Sequence, residues 1–170
     1  MSGMTEQRIR GCAWVLGDHV NTDMLHPPAY FSLESGTVRA GLSEGMRRLG
    51  RAEGDDATDL IIVAGRNFGC GSSRETSVRA LRDGGVRAVV ARSFARIFYR
   101  SLVNAGIPAL VCRKMGEPPS EKASLTVDLQ TFTLMGEALG SLPLEKPDLH
   151  VQRILDAGGL IPLLEKELQR

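Results

Sequence analysis

The sequence predicts an α/β fold with a mostly parallel central sheet, and three observations carry that prediction. Leu60-Ile61-Ile62-Val63-Ala64, residues 86–91 and Pro108-Ala109-Leu110-Val111-Cys112 are short apolar runs of the kind found in strands buried on both faces. Between them lie two segments with apolar residues at helical spacing, and glycine closes each one. The resulting βαβαβ order implies parallel pairing through right-handed crossovers.

In chain order, residues 8–16 read as a first strand bounded by Gly17-Asp18, and His19-Val20-Asn21-Thr22-Asp23 as a polar turn. Pro27 and Pro28 then exclude regular structure. Residues 37–51 carry Leu42, Met46 and Leu49 among glycines and predict a weak helix, followed by a charged loop over 52–59. Strand 60–64 leads into a loop, 65–71, and a helix over 73–82 stopped by Gly84-Gly85. Ser93 is placed as N-cap of the next helix, whose Phe94, Ile97, Phe98, Leu102 and Ala105 share one face and which Gly106 ends. Residues 123–129 and 130–135 alternate in period two, predicting antiparallel additions. Two helices, 149–157 and 162–168, flank Gly158-Gly159, with Pro162 suited to a first helical turn.

The chain has 170 residues and 42% hydrophobic residues, enough for a single domain, 1–170, with its own core. Its 21 Lys and Arg balance 20 Asp and Glu, which argues against nucleic acid as a partner because phosphate neutralisation needs a basic surplus. No apolar run approaches the roughly 18 residues of a membrane span, and Met1 to Arg8 lacks the apolar centre of a signal peptide; a cytoplasmic location without membrane contact is expected. Cys12, Cys70 and Cys112 are odd in number and widely spaced, so no metal or cluster site is expected in this chain. Cys12 and Cys112 read as buried thiols.

Chemistry concentrates in Gly65-Arg66-Asn67-Phe68-Gly69-Cys70-Gly71-Ser72-Ser73-Arg74-Glu75, beyond the carboxyl end of strand 60–64, where open α/β sheets bind ligands. Its glycines permit close backbone approach, and the following helix N-terminus favours an anion such as a carboxylate or phosphate. The segment matches neither a Walker loop, a dinucleotide fingerprint nor an esterase elbow. A plain alternative is a tight turn in which Ser73 only caps a helix.

This segment resembles a known family when taken with Arg92-Ser93-Phe94-Ala95-Arg96-Ile97-Phe98-Tyr99-Arg100, with Val20-Asn21-Thr22-Asp23-Met24-Leu25-His26-Pro27, and with Ala157-Gly158-Gly159-Leu160-Ile161-Pro162-Leu163-Leu164. The four motifs, in this order, are similar to those of the small subunit of 3-isopropylmalate dehydratase and its homoaconitase relatives. The resemblance implies a three-layer, swivelling β/β/α-type domain like the fourth domain of aconitase. It also implies a partner large subunit that carries a [4Fe-4S] cluster, and a place in leucine biosynthesis. By the same resemblance Ser72 is the base acting on the substrate carbon, and Arg74 binds a substrate carboxylate, with Ser73, Asn67 and Gly71 around the substrate. The chemistry is compatible, since a serine base needs preorganised donors and a carboxylate suits the planar guanidinium fork.

Two departures bear on substrate. The commonest family motif continues Ser-Ser-Arg-Glu-His-Ala, whereas Thr76-Ser77 follow Glu75 here. The family's specificity loop reads Tyr30-Phe31-Ser32-Leu33, with no arginine to pair a distal carboxylate, which argues against citrate or homocitrate. A branched malate, foremost isopropylmalate, is expected, with dimethylmalate, citramalate and a homoaconitase-like substrate as alternatives. Phe31 or Leu33 would line an apolar pocket and Ser32 add a polar contact.

Other readings stay open. The fold could serve as a non-catalytic anion-binding or assembly module, His26 and Ser72 could form a hydrolase pair, and the isolated chain could form a homo-oligomer. Arg92, Arg96 and Arg100 step along one predicted helix as a solvated face or a subunit contact. His150 is expected at the surface.

Overall fold

The computed structural model describes residues 7–51, 58–71 and 74–169. Its first strand, β1 (Arg8–Val15), is followed by a single helical turn, α1 (Thr22–Leu25), and by α2 (Ser35–Arg48). Two strand and helix units come next, β2 (Leu60–Ala64) with α3 (Glu75–Asp83) and β3 (Val86–Ala91) with α4 (Arg96–Asn104), followed by the strand β4 (Ala109–Val111). An antiparallel run of β5 (Ser124–Asp128), β6 (Thr133–Gly136) and β7 (Gly140–Pro143) precedes the terminal helices α5 (Leu149–Ala157) and α6 (Leu160–Leu168).

All seven strands form one sheet in the order β4-β3-β2-β1-β5-β6-β7, parallel from β4 to β1 and antiparallel from β1 to β7. Because β1 to β4 add in one direction, right-handed crossovers put all their helices on the same face. There Val38 and Leu42 of α2, Leu81 of α3 and Phe98 and Leu102 of α4 pack on Leu60, Ile62 and Val89. The alternate residues Ile61, Val63, Ala88 and Val90 face a second core, shared with Leu125, Val127 and Leu134 of the antiparallel strands. Residues from near opposite ends of the strand order can meet there only because the sheet curls. The two edges touch: the Glu145 N–H donates to the Val111 carbonyl at 2.8 Å, and Arg113 pairs with Glu145. Two β layers and one α layer result.

The sequence expectations hold for the three buried strands, for β1, for the antiparallel additions β5 and β6 and for helix 149–157, and are corrected at several other places. Thr22 and Asp23 of the predicted turn open α1, which runs on to Leu25, because the Asn21 side chain accepts the Met24 N–H at 2.9 Å and Leu25 buries beneath the turn. Pro28–Tyr30, expected to be irregular, forms one 3₁₀ turn with proline in its first position. Helix α2 starts at Ser35 and is tightly packed, not weak: a Cβ on Gly45 would lie 1.9 Å from the Leu25 carbonyl oxygen. Its interior glycines forgo about 1 kcal/mol each relative to alanine and gain this close approach. Helix α4 begins at Arg96 rather than after Ser93, whose hydroxyl instead accepts the Asn67 N–H at 2.8 Å. Arg92 therefore precedes the helix and donates to the Gly116 carbonyl, while Arg96 and Arg100 are exposed on α4. Strand β7 went unpredicted. Residues 52–57 of the expected charged loop lie outside the described residues.

Candidate active site at the carboxyl end of the sheet

The loop after β2 is held on two sides. The His19 N–H donates to the Arg66 carbonyl at 2.8 Å, the Gly69 N–H to the Val20 carbonyl at 2.8 Å, and the Thr22 N–H to the Cys70 carbonyl at 3.3 Å, which fastens the loop to the N-terminal turn. On the other side the Phe68 N–H donates to the Ser93 carbonyl, and the Ala95 N–H to the Phe68 carbonyl. Phe68 anchors the loop in the core, completely buried and edge-on to Phe94 and Phe98. Gly69 (φ +78°) has no alternative in this geometry, since its Cβ would sit 1.9 Å from Phe98 Cδ1.

Asn67 also has positive φ, 53°, and its side-chain Nδ2 lies 3.2 Å from His19 Nδ1. Gly71 (φ +91°) is exposed, and among the described residues only Asn21 Cβ, 3.6 Å away, comes near the position a Cβ would take. Ser72 and Ser73 lie outside the described residues. Helix α3 begins at Glu75 rather than at residue 73, and Arg74 occupies its N-cap position without a side-chain cap bond, exposed at the mouth of the loop. A cavity of about 300 Å³ opens beside the loop between Asp18, Gly65, Arg92 and Met115.

The predicted specificity loop reaches this place. Phe31 is half-buried, with the Arg74 guanidinium carbon 4.7 Å from its ring centroid and the His26 ring stacked at 5.4 Å and 28°. Tyr30 packs its Cβ against Gly41 of α2. Ser32 is half-buried and its hydroxyl accepts the Glu34 N–H at 3.0 Å. Leu33 is 87% exposed and lines no wall among the described residues, so of the two apolar candidates Phe31 alone is placed against Arg74. Arg79, which the sequence did not single out, fixes this loop from α3 by donating to the Leu33 carbonyl and to Ser35 Oγ. Its spacing from Glu75 suggests only a helical ion pair; the cross-loop bonds had no sequence signal.

His26 is completely buried, so its ring nitrogens are not presented at the surface as a hydrolase base would require. Burial lowers its pKa, and the Val38 backbone opposes that shift only in part. His19 is another residue the motifs passed over: its backbone, carbonyl and ring all meet the glycine loop, the carbonyl accepting the Cys70 thiol at 3.4 Å. His150 is exposed in α5. Among the described residues no three His, Cys, Asp or Glu side chains are grouped to hold a metal ion, and no helix is long and apolar enough to cross a membrane. Cys112 is buried, whereas Cys12 is only partly so, its sulfur 3.9 Å from Arg51 Nη2.

Residues 50–114 match the family described as the aconitase C-terminal domain. The 3-isopropylmalate dehydratase small subunit 1 of Methanopyrus kandleri is 40% identical over 168 residues, covering 94% of each chain. A methanogen homoaconitase small subunit from Methanothermobacter thermautotrophicus is 40% identical over 160 residues, 90% of this chain and 88% of its own. The crystal structure of 3-isopropylmalate dehydratase from Methanocaldococcus jannaschii aligns with a TM-score of 0.79 at 32% identity, over 95% of this chain and 96% of that one.

Proposed function

Because the chain belongs to the family of 3-isopropylmalate dehydratase small subunits, we propose that it is one subunit of a cytoplasmic heteromeric hydro-lyase that isomerises a branched malate, foremost isopropylmalate, by dehydration and rehydration. The observation that carries this reading is the contact of Phe31 with Arg74, which joins the specificity loop to the glycine-serine loop at one end of the sheet.

In this reading Arg74 orients the substrate through one carboxylate, using the edge of its guanidinium as a two-pronged donor. Ser72 takes the proton from the carbon next to a carboxylate while the neighbouring C–O bond breaks with its electron pair. The same serine returns a proton when water adds back at the other carbon. Serine is a weak base in water, so Gly71, the Ser73 side and the N-terminal N–H groups of α3 supply the donors that stabilise the deprotonated hydroxyl. Asn67 acts from behind, keeping the loop in its left-handed bend. A [4Fe-4S] cluster in the large subunit would supply Lewis-acid polarisation of the departing hydroxyl. Docking of that subunit would exclude water from Gly71 and Arg74, which are exposed here.

Phe31 favours an apolar branch over a charged one. Because relatives include an isopropylmalate/citramalate isomerase small subunit and a homoaconitase small subunit, the discriminating assay is a panel of substituted malates on the reconstituted pair. Ser72→Ala should lower turnover about a hundredfold or more, the scale of an acid-base group. Undiminished turnover would leave the chain an assembly module.

A further inference from the structure

The His26 imidazole has no solvent exposure, and neither ring nitrogen makes a well-formed hydrogen bond among the described residues. The Val38 backbone beside the ring offsets burial only in part, and a buried polar group short of well-formed hydrogen bonds is destabilising relative to an apolar side chain of the same shape, so stability alone does not account for histidine there. The surroundings are nevertheless shaped to it. A Cβ on Gly41 of α2 would lie 2.4 Å from His26 Nε2 and 2.5 Å from Tyr30 Cβ, so the helix gives up a side chain to admit the ring. The ring then stacks on Phe31, and Phe31 carries the guanidinium of Arg74.

We infer that His26 is a positioning residue for Arg74: its buried ring fixes the plane of Phe31, and Phe31 in turn fixes the guanidinium at the mouth of the glycine-serine loop. The inference rests on the reading that Arg74 binds a substrate carboxylate. An aromatic face restrains a guanidinium without using its N–H donors, which leaves the fork free for the substrate. The lowered pKa of His26 keeps the ring uncharged near neutrality, which avoids a second cation next to the one Phe31 holds. Aliphatic residues of similar volume would fill the cavity but offer Phe31 no plane to stack on.

The test compares His26→Phe, which keeps a stacking ring, with His26→Leu and His26→Met, which keep apolar bulk only. In the labelled full-length chain, ring current from Phe31 should displace the Arg74 Nε–H resonance upfield. His26→Phe should retain that displacement, and the two aliphatic variants should lose it while keeping a wild-type melting temperature or a higher one. In the reconstituted enzyme the aliphatic variants should raise KM roughly fivefold, the scale of a lost cation–π contact, with kcat within about twofold, and His26→Phe should restore KM. An undisplaced Arg74 resonance in the wild-type chain, or one equally displaced in all three variants, overturns the inference. A resonance that moves while KM stays constant upholds the positioning of Arg74 and instead removes Arg74 from carboxylate binding.

Discussion

The Arg74 guanidinium carbon lies 4.7 Å from the centroid of the Phe31 ring, although Phe31 precedes α2 in the chain and Arg74 follows both α2 and β2. The contact has a chemical consequence, because a stacked guanidinium is held by its face and recognises ligands by its edge. Lysine has neither property. Arg74→Lys should keep the charge and the fold but lower kcat/KM by about 10- to 100-fold in the reconstituted enzyme, the value of one charge-assisted hydrogen bond of roughly 1.5–3 kcal/mol. Steady-state kinetics on a malate substrate checks it; kinetics like those of the unaltered enzyme would place the carboxylate elsewhere.

The geometry of the glycine loop gives a stability prediction. Gly69→Ala forces a side chain into a left-handed conformation and into the Phe98 ring, which is completely buried and cannot retreat. Overpacking and backbone strain together should lower stability by about 2–4 kcal/mol. Gly50→Ala shares the positive φ but meets open space, so it isolates the backbone part at roughly 1 kcal/mol. Urea unfolding of the two variants should separate those contributions, and equal losses would rule out the Phe98 collision.

What the sequence disclosed and withheld follows from the range of the interactions involved. Residues 60–64 were legible as a strand because β2 is buried on both faces and every residue is apolar. Strand β7 was not, since Gly140–Pro143 is a short edge strand with little buried surface and a proline at its end. Ser93 misled because its hydroxyl has two competing uses, and the distant Asn67 N–H takes precedence over a helix cap. The glycine-serine loop was recognisable from its local pattern, whereas the approach of Phe31 to Arg74 and of Arg79 to Leu33 depends on how α2 packs on α3, which no local pattern encodes.

Away from the site, the Asp128 carboxylate caps its own turn. The Thr131 N–H holds its pKa down to about 2, the Arg8 guanidinium adds to this, and the Gln130 N–H does so less strongly, against the opposing effect of burial. A depressed carboxyl pKa contributes stability that is fully present above the unfolded value of roughly 3.9 and is lost as pH falls toward 2. Allowing for the exposure of Arg8, that contribution is about 1–2 kcal/mol. Asp128→Asn should therefore lower stability at pH 7 by this amount, and its curve should converge on that of the unaltered chain between about pH 4 and pH 2. Denaturant melts at both ends of the range check it, and a constant gap between the curves would assign the effect to packing.

Substrate choice can be tested at Ser32. Its hydroxyl now accepts the Glu34 N–H, a local turn bond worth about 1 kcal/mol, in a loop that Arg79 already grips through Leu33. Ser32→Arg would add a third guanidinium to a loop whose neighbours include Arg74 and Arg79, with like charges opposing it in the empty site. A substrate with a distal carboxylate would relieve that repulsion by accepting the new fork, while an apolar branch would leave the guanidinium unpaired. The ratio of kcat/KM for a tricarboxylic analogue over isopropylmalate should then rise by roughly 10- to 100-fold, from gain on one side and loss on the other. Free-chain stability should fall slightly and recover when the tricarboxylate is added. If the ratio does not change while the chain remains folded, the loop holding Phe31 does not reach the variable end of the substrate, and specificity resides in the large subunit.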